Sequence, residues 1–504
     1  MTQPPDPDLG RLEIDGGEPN GFVVVVLDRD VDPDPRRDLA DVLQDVAGPN
    51  RLLAVLDALG DPPTRRLVAP ASRDAVLRLR ERGRRGRRTP SRDLTRFWRI
   101  DLRDGRADPR EVARRLLGLP GVDLAYAESQ VVSAPTVPVE TAPAGPDPAP
   151  PASASRVAML PQGHLRAAPE GVGAEAVRTR CGAGGEGVRF VDVEEAWRLP
   201  HPAYSAHAPD VLADPDRRNR DGIAGFVGYH GTAVLGIVAA TGPGVRVAGV
   251  APRLAEAHCC SHYDATTDDE LHTVDAIAQA VGRLQDGDVL LLEVQRPGEN
   301  NSGLLPTEID PADFEAISDA TGAGIVVVEA AANGTRNLDL WRHPADQRAM
   351  QRGGPGDSQA IVVGSCVAAV IQTGHARFPD SNWGDRVDCY AWGEAVATAY
   401  ATATAGDYTT SFNGTSAASA IVAGVAVATQ GMQRAAHPGA PLLPPAMRAL
   451  LSGPGNTSQR PANDTRRIGR MPDLAVIATQ IGAVDCGDAD DADGDAGGNG
   501  EVIC

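Results

Sequence analysis

Three residues far apart in this 504-residue chain could cooperate in proton transfer, namely Asp192, His230 and Ser416. Ser416 is the third residue of the run Gly414-Thr-Ser-Ala-Ala-Ser-Ala-Ile-Val-Ala-Gly, made almost wholly of small and apolar residues. That composition predicts a narrow, buried helix with Ser416 at its start. The free N–H groups and partial positive charge there can face the oxyanion that a serine nucleophile generates. The plainer role is an N-cap. His230 precedes Gly-Thr and small apolar residues at helical spacing, so it too is expected at a helix start, where a lone histidine is more often structural. Asp192 closes Gly187-Val-Arg-Phe-Val, an apolar run expected to be a buried strand, and so sits at the carboxyl edge where α/β sheets place their sites. Strand-end aspartates are also ordinary turn formers. Taken together, a hydroxyl, an imidazole and a carboxylate suit nucleophilic catalysis. The chain contains no lysine, so all 48 basic residues are arginines. Schiff-base chemistry, Ser–Lys dyads and a phosphate-loop lysine are thereby excluded.

The elements that must hold these residues can be read from apolar patterning. Val188–Val193, Val289–Val294, Gly324–Val328 and Ala360–Gly364 are nearly continuous apolar runs, which argues for strands buried on both faces of a parallel sheet. They alternate with small-residue helices over 156–482. Upstream, 21–132 reads as a small α+β domain: a strand at Phe22–Leu27, helices near 37–47, 49–60 and 72–82, then strand Thr95–Leu102, helix Pro109–Leu117 and strand Val122–Ala127. Residues 1–20 read as a flexible N-terminus. The stretch 133–155 is a Pro-rich linker, and 483–504, with seven acids and no base, is an acidic tail. Between Arg65 and Arg99 there are 13 arginines against three acids, read as a solvated face in preference to a docking surface.

Composition bounds the rest. Apolar residues are 42% and aromatics only 4%, so the core must be built from Ala, Val, Leu and Ile. A formal charge of −20 argues against a general nucleic-acid binder. The uncharged stretch Tyr408–Gln433 reads as an interior helix, not a membrane span. The N-terminus lacks the charged and apolar regions of a signal peptide.

In order and in local sequence the chain resembles the subtilase family of serine endopeptidases. The resemblance rests on Val-Asp192, on His230-Gly-Thr with Gly236 downstream, on Gly414-Thr-Ser416-Ala-Ala-Ser, and on Gly324-Ile-Val-Val-Val-Glu-Ala-Ala-Ala-Asn333-Gly. It implies an α/β fold, a subtilisin-like parallel sheet flanked by helices, behind a smaller N-terminal α+β domain. It also implies an Asp192–His230–Ser416 triad, Asn333 as the oxyanion-hole side chain, and an acyl-enzyme route to peptide-bond hydrolysis. Glu293, Gln295, Pro297 and Ala331 are the expected lining of the substrate cleft, with Glu293-Val-Gln-Arg-Pro-Gly standing where the family usually has Ser-Leu-Gly. A protein or peptide substrate is implied, as is a secreted location. Val193 and Glu194 follow Asp192 where the family usually has Ser or Thr and then Gly, and Ala332 precedes Asn333 where Gly is usual. The N-terminal domain resembles a subtilase propeptide that caps the cleft and is removed by cleavage between Glu128 and Arg156.

Other candidates are weaker. His258-Cys-Cys-Ser-His262 has metal-ligand residue types, but neighbours on a strand point to opposite faces, so no metal or cofactor is expected. Cys366 and Cys389 could pair or remain buried thiols. Asp491-Ala-Asp-Gly-Asp fails the register of a calcium loop. An esterase of the α/β-hydrolase kind lacks its Gly-x-Ser-x-Gly turn. The rival class is a subtilase-fold scaffold that binds peptides without cutting them.

Overall fold

The computed structural model describes residues 19–28, 37–44, 51–84, 86, 91–133, 158–212, 219–222, 227–264, 270–297, 303–371, 373–401, 407–453, 458–459 and 465–486. Most of the expected linker, nearly all of the expected N-terminal arm and residues 487–504 of the tail lie outside them.

The N-terminal part is a four-stranded antiparallel sheet in the order β2-β3-β1-β4: β1 Pro19–Leu27, β2 Thr64–Arg66, β3 Phe97–Asp101 and β4 Val122–Ser129. The run Val23-Val-Val-Val26 alternates its side chains between two apolar layers. Val23 and Val25 meet helices α1 Leu39–Gln44, α2 Arg51–Ala58 and α4 Pro109–Leu116. Val24 and Val26 face the other way, into a layer shared with α3 Arg73–Gly83 and with helices of the second part. A two-residue strand, β5 Val132–Ser133, follows.

The second part is α/β. Its large sheet runs β20-β21-β17-β15-β14-β11-β6-β8-β7, with β16 beside β15. Its inner members are β6 Arg189–Glu194, β8 Glu256–Ser261, β11 Val289–Leu292, β14 Val326–Ala330, β15 Ile361–Ile371 and β17 Cys389–Trp392, with β7 Asp210–Val211 at one edge. All these pair in parallel. The remaining strands are short pairs: β9 Tyr263–Asp264 with β10 Glu270–Leu271, β12 Val294–Pro297 with β13 Leu304–Pro306, β18 Val396–Tyr400 with β19 Asp407–Phe412, and β20 Ser458–Gln459 with β21 Arg470–Met471.

Helices cover both faces, as buried parallel strands require. On one face lie α5 Tyr229–Ala239 and α8 Gly414–Ala436; on the other, α6 Thr273–Val281 and α7 Pro311–Gly322. Two more helices, α9 Pro444–Ser452 and α10 Leu474–Gln480, close the chain. Among the described residues α8 is long and apolar enough to cross a bilayer, but its apolar window is wholly buried inside the fold.

The two parts share a core. Helices α6 and α7 meet β1, β3, β4 and α3 through Leu124, Tyr126, Val76, Leu79, Ile277 and Ile317. Arg82 donates to the carbonyls of Val281 (3.0 Å) and Leu284 (3.2 Å), and Arg92 reaches Asp346 (3.1 Å). Part of the arginine run therefore docks on the α/β part instead of facing water throughout, because guanidinium groups satisfy carbonyls left open at helix ends.

Three smaller expectations meet the structure here. His258 lies between Asp210 and Glu256, while Cys259 and Cys260 enter opposite core layers, so this segment spreads its donors over both faces of β8. Cys366 and Cys389 are buried free thiols, both pushed up by burial. Among the described residues the disulfide joins Cys181 and Cys486 instead, 305 residues apart, which holds the first residues of the expected tail against the domain.

Candidate functional site

Strand β6 carries two acids, and period-two alternation turns both Asp192 and Glu194 toward the α5 and α8 side. They sit about 7 Å apart along the strand, so only one can meet a given ring. It is Glu194: its Oε1 lies 2.7 Å from Nδ1 of His230. Asp192 is one step deeper. Its Oδ2 accepts from Trp197 Nε1 at 2.7 Å, and its Oδ1 has no partner. The expected Asp192–His230 pairing is therefore not what the geometry holds; the strand continues through Glu194 before it ends, which carries the second acid to the edge.

His230 is the second residue of α5. Gly231 beside it is required by close approach, since a Cβ there would lie 2.4 Å from Trp197 Cδ1. The ring also stands edge-on to Phe412, with centroids 5.2 Å apart. Phe412 is the last residue of β19, separated from α8 only by the N-cap Asn413.

Ser416 is the third residue of α8 and is buried. Gly414, at the head of the helix, has φ +83, and a Cβ on it would lie 3.2 Å from Asn333 Oδ1. That oxygen accepts from Thr415 N (2.9 Å) and Thr415 Oγ1 (3.1 Å). The Asn333 side chain is thereby tied by its oxygen to the head of α8. Asn333 follows Ala332, which adopts φ +69, a left-handed conformation that usually calls for glycine. Asn382, fully buried, braces this corner: its Nδ2 donates to Ala331 O (2.6 Å) and Leu304 O (2.8 Å), and its Oδ1 accepts from Arg336 N. Sequence reading missed Asn382, which no motif marks.

The four expected cleft residues are all buried. Glu293 directs Oε1 to Ser419 Oγ (2.5 Å), and Ser419 Oγ also reaches Ser416 O (3.1 Å). Gln295 supports the Asn333 corner through Asn333 N (3.4 Å). Pro297 pairs with Leu304 inside the β12–β13 hairpin, and Ala331 is fully covered. The other edge of β12 is taken by the chain itself: Val132 and Ser133 pair antiparallel with Gln295 and Val294.

Burial governs the electrostatics. Asp192, Glu194 and Glu293 are all held well above the usual carboxyl range, chiefly by loss of water. The same burial lowers His230, opposed by the negative charge of Glu293 and Glu195. A neutral ring is the form this environment favours.

The fold is that of an α/β protein whose mostly parallel sheet is covered by helices on both faces. The chain belongs to the subtilase family, whose model matches residues 20–452. Among solved structures it is similar to a cold-adapted subtilisin-like serine proteinase (18% identity, 58% of this chain and 90% of that one, TM-score 0.41). It is also similar to the patellamide maturation protease PatA (23%, 59% and 97%, TM-score 0.42) and to the prenylagaramide maturation protease PagA (18%, 61% and 97%, TM-score 0.43). No curated protein matches it.

Proposed function

We propose that this chain is a serine endopeptidase whose acid, base and nucleophile are Glu194, His230 and Ser416. The single observation that carries the reading is the 2.7 Å contact of Glu194 with His230 Nδ1, on a helix packed against the one that presents Ser416. In this mechanism Ser416 Oγ attacks the scissile carbonyl while His230 Nε2 takes its proton. The proton then goes to the leaving amine, and water repeats the sequence on the acyl-enzyme. Ionised Glu194 fixes the Nδ1–H tautomer and stabilises the imidazolium. The Asn333 amide and the Ser416 backbone N–H hold the oxyanion. Removing one such side-chain donor from subtilisin itself, a different enzyme, costs about 3–4 kcal/mol in the barrier.

The N-terminal part acts on the same site. Its last described residues lie along β12, the strand expected to receive substrate, so the uncleaved chain blocks its own cleft. Cleavage between Glu128 and Arg156 frees it.

Labelling with a fluorophosphonate probe tests the reading. Wild type is expected to label after processing, and Ser416→Ala is not. Absence of Ser416-dependent labelling in processed protein would favour the peptide-binding scaffold.

A further inference from the structure

Glu293 is the group beside the site that hydrolysis does not use. It follows β11 directly, is 4% exposed, and its backbone N–H donates to Val193 O. Ser419 occupies Oε1, whereas Oε2 has no hydrogen-bond partner. A buried carboxylate oxygen without a partner is costly and calls for an explanation. Its surroundings supply one: donor atoms of Glu194, His230 and Glu293 all lie within 4.8 Å of one another. Two carboxylates and one imidazole form the donor set of a three-ligand zinc site with a fourth position open. A tetrahedral ion with bonds near 2.0–2.1 Å needs donors about 3.4 Å apart, so the most separated of the three must close by up to about 1.4 Å. Two anionic ligands would match the charge of a dication in a place that water barely reaches. An imidazole ligand points to zinc and similar borderline ions in preference to calcium or magnesium.

We propose that Glu194, His230 and Glu293 form a binding site for a zinc-class divalent cation, and that occupancy switches the peptidase off. The second half rests on the peptidase reading; the first does not. A bound ion takes the imidazole lone pair and the Glu194 carboxylate together, so the ring can neither accept the serine proton nor keep its tautomer. No bond is made or broken beyond metal coordination, and removal of the ion restores the site. Glu293 is what separates this chain from a bare acid–base pair, because two ligands alone hold zinc weakly.

The test uses full-length metal-free protein carrying Ser416→Ala, to prevent self-cleavage, and His258→Ala, to remove the imidazole held between the acids Asp210 and Glu256. Titration with Zn2+ against a chromophoric chelator is expected to show one site per chain, weakened at least tenfold by adding Glu293→Gln. Absence of zinc binding up to 100-fold excess, or equal affinity with Glu293→Gln, overturns the proposal. X-ray absorption on the zinc-loaded parent guards against a misfolded variant. One imidazole and an oxygen shell near 2.0 Å are expected, and a sulfur shell overturns the assignment. In a separate arm, micromolar Zn2+ should suppress fluorophosphonate labelling of Ser416 in processed protein and EDTA should restore it. Zinc bound at the three residues with labelling unaffected overturns the switch. No labelling with or without metal, beside intact zinc binding, removes the peptidase reading and leaves the metal site standing.

Discussion

Trp197 donates its indole Nε1–H to Asp192 Oδ2 at 2.7 Å, which commits the first acid of β6 away from His230. The two acids therefore make opposite predictions. Glu194→Gln should leave the fold intact and cut turnover of a peptide substrate roughly ten-thousandfold, because an amide can present its NH2 to Nδ1 and select the wrong tautomer. Asp192→Asn should cost less than tenfold. Asp192 meets Trp197 and not His230, and an asparagine has its shape and still accepts from Trp197. Steady-state kinetics on the processed variants decides; the reverse ranking would return the acid role to Asp192.

The corner that holds Asn333 depends on backbone freedom at two places. Gly414 at φ +83 should not tolerate alanine: the left-handed conformation costs about 1–2 kcal/mol, and the new Cβ would press on Asn333 Oδ1. Gly414→Ala is expected to lower kcat at least tenfold with little change in KM, since the donor lost acts on the transition state. Ala332 is the converse case. Ala332→Gly relieves strain at φ +69, so stability should stay level or rise, where glycine at an ordinary position costs about 0.5–1 kcal/mol. Thermal unfolding with a loss above 1 kcal/mol would show that Ala332 is not strained.

Docking of the N-terminal part on the α/β part rests on two glycines at the α3–α7 crossing. A Cβ on Gly322 would lie 2.4 Å from Gly83 O, and one on Gly83 would lie 2.5 Å from Asp319 O. Gly322→Val must therefore push α3 away. In the Ser416→Ala chain this variant should expose 19–129 to limited proteolysis under conditions where the parent resists. Equal resistance would mean the shared apolar layer alone suffices.

Much of this was legible in the sequence because it is local. The four apolar runs became β6, β11 with β12, β14 and β15, and the α/β class with its parallel sheet follows from their continuity. Ser416 and Asn333 sit in short stretches whose composition alone implies a helix start and a strand end. Glu194 was not legible, because a strand's last residue is set by where its pairing with Ser261 stops, not by its own type. Glu293 was readable as a cleft residue but not as a neighbour of His230, since they are 63 positions apart and meet only through sheet packing. Asn382 belongs with these: its partners are Leu304 on β13 and Ala331 and Arg336 on the segment after β14, all distant in sequence. The arginine run was misjudged for the same reason, because solvation of a charge depends on what docks over it.

Acid should unfold this protein from an unusual starting point. His164 is fully buried, with neither ring nitrogen hydrogen-bonded, and burial lowers its pKa to about 3. His262 is held the same way, lowered to about 4. A group whose folded pKa lies below its unfolded value adds stability that is full above the unfolded pKa, near 6.5. That stability drains away as pH falls through the folded value. For His164 the window runs from pH 6.5 down to about 3, and at about 1.4 kcal/mol per unit the loss is at most about 4–5 kcal/mol. His164→Phe keeps a flat ring beside Trp392, forfeits no hydrogen bond and cannot titrate. Denaturant unfolding of both proteins between pH 7.5 and 4 should give curves that converge near neutrality, with the variant gaining relative stability steadily below pH 6. A constant offset across that range would mean that the His164 ring finds solvent or a partner when it is protonated.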